Sequence, residues 1–250
     1  IIQTIQTQQK LNDLNNIGLR GQILYKPNEK FNLTFTADYT RQRPQGYAQT
    51  IAGVVRTKRA EYRQFASIIK DLGYTIPYKS AFDRVTDTDT PWRSYQDLGG
   101  LSINIDYKLW SGTLTATTAW RFWNWNPSND RDFTGLAALA KSEAPSKHQQ
   151  WSQEIRWTGD FSDKVSGVFG IFVIGQRLRA ARQGQIEEAG KDQWRFSKNS
   201  ESDLWQTPGL LDGYGIKTYP SLNSFSGAAF GQIQWQLTEH FFLLPGIRLN

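Results

Sequence analysis

The stretch FGQIQWQLTEHFFLLPGIRLN, residues 230–250, decides what kind of sheet this sequence builds. Ile233, Trp235 and Leu237 alternate with Gln232, Gln234 and Gln236, the period-two pattern of a strand with one apolar and one polar face. Pairing Leu237 with Phe241 across Thr238, Glu239 and His240 sets Trp235 opposite Leu243, Gly231 opposite Ile247 and Phe230 opposite Arg248. Pro245 has no N–H to give a ladder, so it predicts a bulge or an unpaired position in the return strand.

The same pattern recurs upstream. Residues 19–25 and 31–39 form a hairpin with Leu19, Ile23 and Tyr25 facing Ala37, Leu33 and Phe31 across the turn KPNEK. Arg20, Gln22, Asn32, Thr34, Thr36 and Asp38 occupy its other face. Residues 98–109 return through WSGT to 114–122, with Gly112 suited to the tight turn. There Leu101, Ile103, Ile105 and Tyr107 alternate with Ser102, Asn104, Asp106 and Lys108, and Leu114, Ala116, Trp120 and Phe122 answer them. A third hairpin, 152–158 with 165–174, turns through GDFSDK, although GVFGIFVIG is apolar on both faces.

Long connections separate these hairpins, from Arg41 to Asp97, Trp123 to Trp151 and Gly175 to Ser224, while the turns within them are short. Loops beyond about 15 residues are uncommon in a compact sandwich. Short turns on one rim and long loops on the other are the layout of an outer-membrane barrel, whose apolar face meets lipid and whose polar face lines the lumen. Strands of about nine to eleven residues suffice to cross. Tyr25, Phe31, Tyr39, Tyr107 and Phe122 fall near strand ends, where aromatic girdles form.

Composition narrows the chemistry. The chain has 250 residues, 38% hydrophobic and 14% aromatic, with no cysteine, two histidines (His148 and His240) and a net charge of +6. No apolar run is long enough for a membrane helix, and IIQTIQTQQK is not a signal peptide. Thiolate metal sites are excluded, a histidine-based one has little material, and no cofactor is expected. Nucleophile-elbow, phosphate-loop and zinc-protease motifs are missing, which argues against an enzyme.

The stretch SGAAFGQIQWQLTEHFFLLPGIRLN resembles the "FGQ, strand, LT turn, strand, GxR" hairpin of TonB-dependent outer-membrane receptors. LGGLSINIDYKLWSGTLTATTAWR, WSQEIRWTG and LRGQILYKPNEKFNLTFTADY are similar to other barrel segments of that family, in family order. The resemblance implies an all-β fold: an antiparallel transmembrane β-barrel segment, about eight strands of a barrel of about 22, or nine if residues 1–9 add another. Residues 1–250 then correspond to a partial barrel, with the plug domain and C-terminal strands outside the sequence. The implied activity is energised uptake of a scarce solute, a ferric siderophore by default. The implied partners are the TonB complex, outer-membrane lipid and lipopolysaccharide, and not nucleic acid. A passive porin and a soluble glycan-binding module are the alternatives.

Candidate ligand contacts sit where a strand runs into a loop. In WRFWNWNPSNDRDF, Trp120, Trp123 and Trp125 offer stacking faces, and Arg121 and Arg131 offer guanidinium groups for acidic oxygens. The competing reading makes the Trp residues an interfacial girdle. Ten Lys or Arg against six Asp or Glu lie between Arg41 and Asp97. The basic set Arg41, Arg43, Arg56, Lys58, Arg59 and Arg63 would meet either lipopolysaccharide phosphates or an anionic solute. Within that loop, RTKRAEYRQFASIIKDLGY reads as an amphipathic helix with Tyr62, Phe65, Ile69 and Leu72 on one face and Gly73 at its end.

Overall fold

A computed structural model describes residues 1–77, 80–197 and 201–250. Its strands are β1 (Ile2–Thr4), β2 (Lys10–Leu11), β3 (Asn16–Asn28), β4 (Phe31–Gln42), β5 (Val85–Thr86), β6 (Arg93–Leu109), β7 (Gly112–Ser128) and β8 (Leu139–Glu143). They continue as β9 (Ser146–Ser162), β10 (Val165–Ala180), β11 (Gln185–Ala189), β12 (Gly215–Thr218), β13 (Ser221–Gln236), β14 (Phe242–Leu243) and β15 (Gly246–Leu249). One helix, α1 (Phe65–Asp71), lies in the loop after β4. Among the described residues no helix is long and apolar enough to cross a membrane.

Antiparallel hairpins laid side by side make the wall, in the order β3, β4, β6, β7, β9, β10, β13, with β14 and β15 on the far edge of β13. Counting β14 and β15 as one interrupted strand gives the eight expected. Because each strand pairs with its sequence neighbour, all four short turns fall on one rim and all long loops on the other. The sheet is open and does not close on itself.

The final hairpin has the register that its sequence predicts. Trp235 pairs with Leu243, Gly231 with Ile247 and Phe230 with Arg248. The return strand breaks at Leu244 and Pro245, where the proline carbonyl accepts from Ile233 N at 3.0 Å. In the first hairpin the faces are as expected but the register is not: Leu19 pairs with Tyr39, Ile23 with Phe35 and Tyr25 with Leu33. The strands run on to an Asn28–Phe31 pair around a bulge, and a shift of two residues preserves every face. Gly112 is not the left-handed turn residue. Trp110 takes that role at φ 54°, and Gly112 is needed because a Cβ there would collide with Thr158 O and Gly159 Cα on β9.

The two faces of the wall reverse the logic of a soluble core. Leu101, Ile103, Ile155, Ile171 and Trp235 lie exposed, Ile171 to 55%. The polar face is instead knitted together. Thr117 Oγ1 donates to Asn104 Oδ1 at 2.7 Å, Thr115 Oγ1 to Asp106 Oδ1 at 2.7 Å, and Gln22 Nε2 to Thr36 Oγ1 at 3.0 Å. Thr118 and Gln153, both on the apolar face, satisfy each other through Oγ1 and Oε1. The doubly apolar β10 splits by the same parity, with Phe169, Ile171 and Val173 on the apolar face and Val168, Phe172 and Ile174 on the other.

Among the described residues, the packed core lies above the wall. Leu11, Ala48 and Trp92 are buried, with Ile2 and Phe133 against them. Residues 1–9 do not add a wall strand: β1 pairs antiparallel with β2 and parallel with β5, a separate three-stranded sheet over the loop rim. The loop helix is shorter than its periodicity suggests, because Gln64 folds back to accept from Thr57 N at 2.9 Å and holds the preceding turns out of line. Its buried residue is Ile68 rather than Ile69. Gly73, at φ 63°, ends it as expected, with Tyr74 N donating to Ile69 O and Gly73 N to Lys70 O.

Candidate functional site

β6, β7 and β9 are 17 residues each, well beyond the nine to eleven or so that a membrane crossing needs. Their excess length stands above the apolar band on the loop side. There β8 joins the tip of β7 through the pair Ser128–Glu143, and β11 and β12 extend the flange outward. Between this flange and the loop after β4 lies a cavity of about 590 Å³, with Tyr47, Trp92, Arg93, Trp125, Arg131 and Glu187 among its lining.

The walls are held by specific bonds. Trp92 Nε1 donates to Thr88 Oγ1 at 3.0 Å and its backbone N to Gln9 Oε1 at 3.1 Å, which anchors the loop end under the small sheet. Gly46, at φ 92°, lets the chain turn against the Trp92 ring. Arg93 pairs with Glu143 at 2.9 Å and Arg131 with Glu187 at 2.6 Å. The charges of these four side chains cancel, and the rest of the lining is mixed: the rings of Tyr47, Trp92 and Trp125, the aliphatic Ile186 and Ile216, and polar Ser94, Asn129, Gln185 and Thr218. Such a cavity suits a flat, weakly charged ligand that stacks.

Of the five residues singled out from sequence, the structure brings Trp125 and Arg131 to this cavity. Trp123 stands beside Trp125, ring centroids 5.6 Å apart and nearly parallel at 17°. Their indole N–H groups donate to Gln96 Oε1 and Ser94 Oγ. Arg121 sits lower on the polar face, in a two-pronged bond to Asp38 at 2.7 and 2.9 Å. Trp120 does not join them. By strand parity it lies on the apolar face, opposite Trp151 and Leu101 and 5.4 Å from the Phe122 ring, where the girdle reading puts it. Tyr47 and the pairs Arg93–Glu143 and Arg131–Glu187 were not foreseen, because their partners meet across loops rather than along one strand.

The basic set of the first loop is also divided. Arg43 is held by Asp97 at 2.7 Å, and Arg56 by Glu61 at 2.8 Å. Behind the cavity, Asp89, Asp130 and Asp132 cluster where the loops cross. Asp130 accepts backbone N–H bonds from Asp89, Thr90 and Phe133, and Asp132 from Thr134 and Leu139. Burial first, and then the neighbouring carboxylates, push Asp130 and Asp132 up to about 6. No group of three metal-binding side chains with suitable geometry occurs among the described residues.

No protein-family model matches this chain, and no curated protein matches it in sequence. Among solved structures, the ferric yersiniabactin uptake receptor FyuA from Yersinia pestis is similar over 99% of this chain, with a TM-score of 0.60 and 14% identity. This chain has the fold of an outer-membrane barrel wall. It spans 31% of the FyuA chain. The RagAB peptide transporter is similar over 94% of this chain and 28% of its own, with a TM-score of 0.44 and 12% identity.

Proposed function

We propose that this chain forms the loop-bearing wall of an outer-membrane uptake receptor. It captures a small solute, a ferric siderophore before others, in the cavity above the barrel, and the TonB complex drives the solute inward. No bond in the solute is made or broken. The observation that carries this reading is the inverted sheet, apolar outside and hydrogen-bonded inside, whose long loops fold together into one roof containing a cavity. An exposed apolar face of this extent argues against a soluble glycan-binding module. The likeness to FyuA supports uptake over passive conduction, and the balanced charge around Trp125 and Tyr47 favours a ligand held by stacking.

The test is titration of ferric siderophores of differing aromaticity and charge against the intact detergent-solubilised protein. Replacing Trp125 or Tyr47 by Ala should weaken the bound chelate by about two- to tenfold. Uptake in cells should stop when TonB is removed. Uptake that continues without TonB, together with steady conductance in planar bilayers, would make the protein a passive channel instead.

A further inference from the structure

Strand register places a band of cations on the outside of the wall, and nothing in the solute-binding reading uses them. On the apolar face, Phe31, Tyr107, Leu114, Trp157 and Phe169 form one row across five strands. Eight residues further along each strand stand Tyr39, Gly99, Phe122, Gln149 and Arg177. This interval is about the length that crosses the hydrocarbon layer. The next row on the same face contains Arg41, Asp97, Asn124, Lys147 and Arg179. Cations therefore begin where the aromatic girdle of Tyr39, Trp120, Phe122, Trp151 and Phe225 ends.

Charge in this band is one-sided. Arg41, Lys147, Arg177 and Arg179 are exposed, and none has an ion pair among the described residues. The single carboxylate in the row, Asp97, is occupied by Arg43 and by the Tyr39 hydroxyl at 2.6 Å. Beside Lys147 the surface dips into a cavity of about 300 Å³ whose wall includes Asn124, Asn126 and Arg182, together with the neutralised Arg43–Asp97 pair. Amide and cationic donors around a dent of that size fit a phosphate group with part of the sugar or glycerol that bears it. The turn rim offers no such bias: Lys26, Lys30 and Lys164 are mixed there with Glu29, Asp163 and Glu239.

We infer that Arg41, Lys147, Arg177 and Arg179 form a docking band for phosphate-bearing lipid headgroups in the leaflet on the loop side, with the dent beside Lys147 as its deepest seat. The lipid's acyl chains lie along Ile103, Ile171 and the girdle rings while its phosphates rise to the cations. The inference rests on the membrane-spanning reading of the wall but not on any particular solute.

Two preparations of the intact protein in uncharged maltoside micelles test it, one unaltered and one with Arg41, Lys147, Arg177 and Arg179 all replaced by Gln. Each is titrated with a bis-phosphorylated hexa-acyl glycolipid, with the same glycolipid stripped of phosphate, and with inorganic phosphate, and binding is read by native mass spectrometry. Each cation near a phosphate surface should contribute about fivefold, so the quadruple variant should lose the phosphorylated lipid by well over tenfold. Lys164→Gln on the turn rim and Arg20→Gln on the polar face should change little. Equal binding by the quadruple variant, or equal binding of the phosphate-free lipid, overturns the inference. Inorganic phosphate competing at the same concentration as the lipid overturns it too, in favour of a free-anion site. Insertion into uncharged phosphatidylcholine vesicles is measured alongside. Failure of the unaltered protein to insert would count against the membrane reading itself, whereas insertion with no lipid selectivity would count against the band alone.

Discussion

Ile103 and Asn104 are neighbours in the chain and opposites in environment. Ile103 is 40% exposed in the middle of the apolar face, in register with Phe35 and Thr118. Asn104 donates to Asp106 at 3.0 Å and accepts from Thr117. Ile103→Arg should cost about 2–4 kcal/mol of folding free energy in lipid vesicles if it sits near the bilayer midplane. Asn104→Arg, which loses hydrogen bonds on a hydrated face, should cost about 1 kcal/mol. Urea titrations in vesicles compare the two, and equal costs would mean the faces are assigned the wrong way round. Arg121→Ala should cost no more than about 1 kcal/mol, since the pair with Asp38 is partly open to solvent.

Two glycines show how differently one residue type serves separate elements. Gly73 ends α1 with φ 63° and open space around it, so Gly73→Ala meets backbone strain alone. The expected loss is about 1 kcal/mol, seen as faster hydrogen exchange in Phe65–Asp71 and nowhere in the wall. Gly112 has an ordinary φ but lies against β9, so Gly112→Ala must push β7 and β9 apart at the turn rim, at about 1–3 kcal/mol. Exchange should then quicken at Thr158 and Gly159 while the loop rim stays unchanged. Of this element-level detail, alternation revealed the faces of most wall strands, though not of β10, whose GVFGIFVIG run is apolar on both sides, and even the pairs Trp235–Leu243 and Phe230–Arg248, because a sheet with one apolar and one polar face admits one parity. It did not reveal why Gly112 is glycine, since that depends on a strand some forty-five positions away rather than on the turn it adjoins. The site was legible only in part for the same reason. Trp125 and Arg131 could be picked out beside a strand end, but Tyr47 reaches the cavity from the loop after β4, and Glu143 and Glu187 from β8 and β11, five-residue strands too short for alternation to single out.

At the scale of the whole molecule, the wall and the roof answer to different variables. The roof should respond to pH. Asp130 and Asp132 have their carboxyls raised to about 6 by burial and then by a neighbouring carboxylate, Asp89 for Asp130 and Asp130 for Asp132, so folding favours their protonated forms. Their stabilising contribution is complete below the ordinary aspartate range near 4 and is lost as pH rises through about 6. Hydrogen exchange at Thr90, Phe133 and Leu139, corrected for intrinsic rates, should therefore show weaker protection at pH 6.5 than at pH 4.5, with the wall unaffected. Asp89→Asn removes a neighbouring charge and should flatten that slope. The roof is also the part whose assembly spans the greatest chain distance. β1 runs parallel to β5, with β2, the whole β3–β4 hairpin and α1 between them in sequence, and parallel pairs so far apart close late, after the local hairpins have formed. The wall can thus form with its roof still unmade, and the roof then closes over it like a clasp. Cutting that clasp by deleting residues 1–9 should leave the strands inserted while a protease added outside the cell cleaves between Arg43 and Trp92. A sheet made this way completes its wall before it completes the cavity above it.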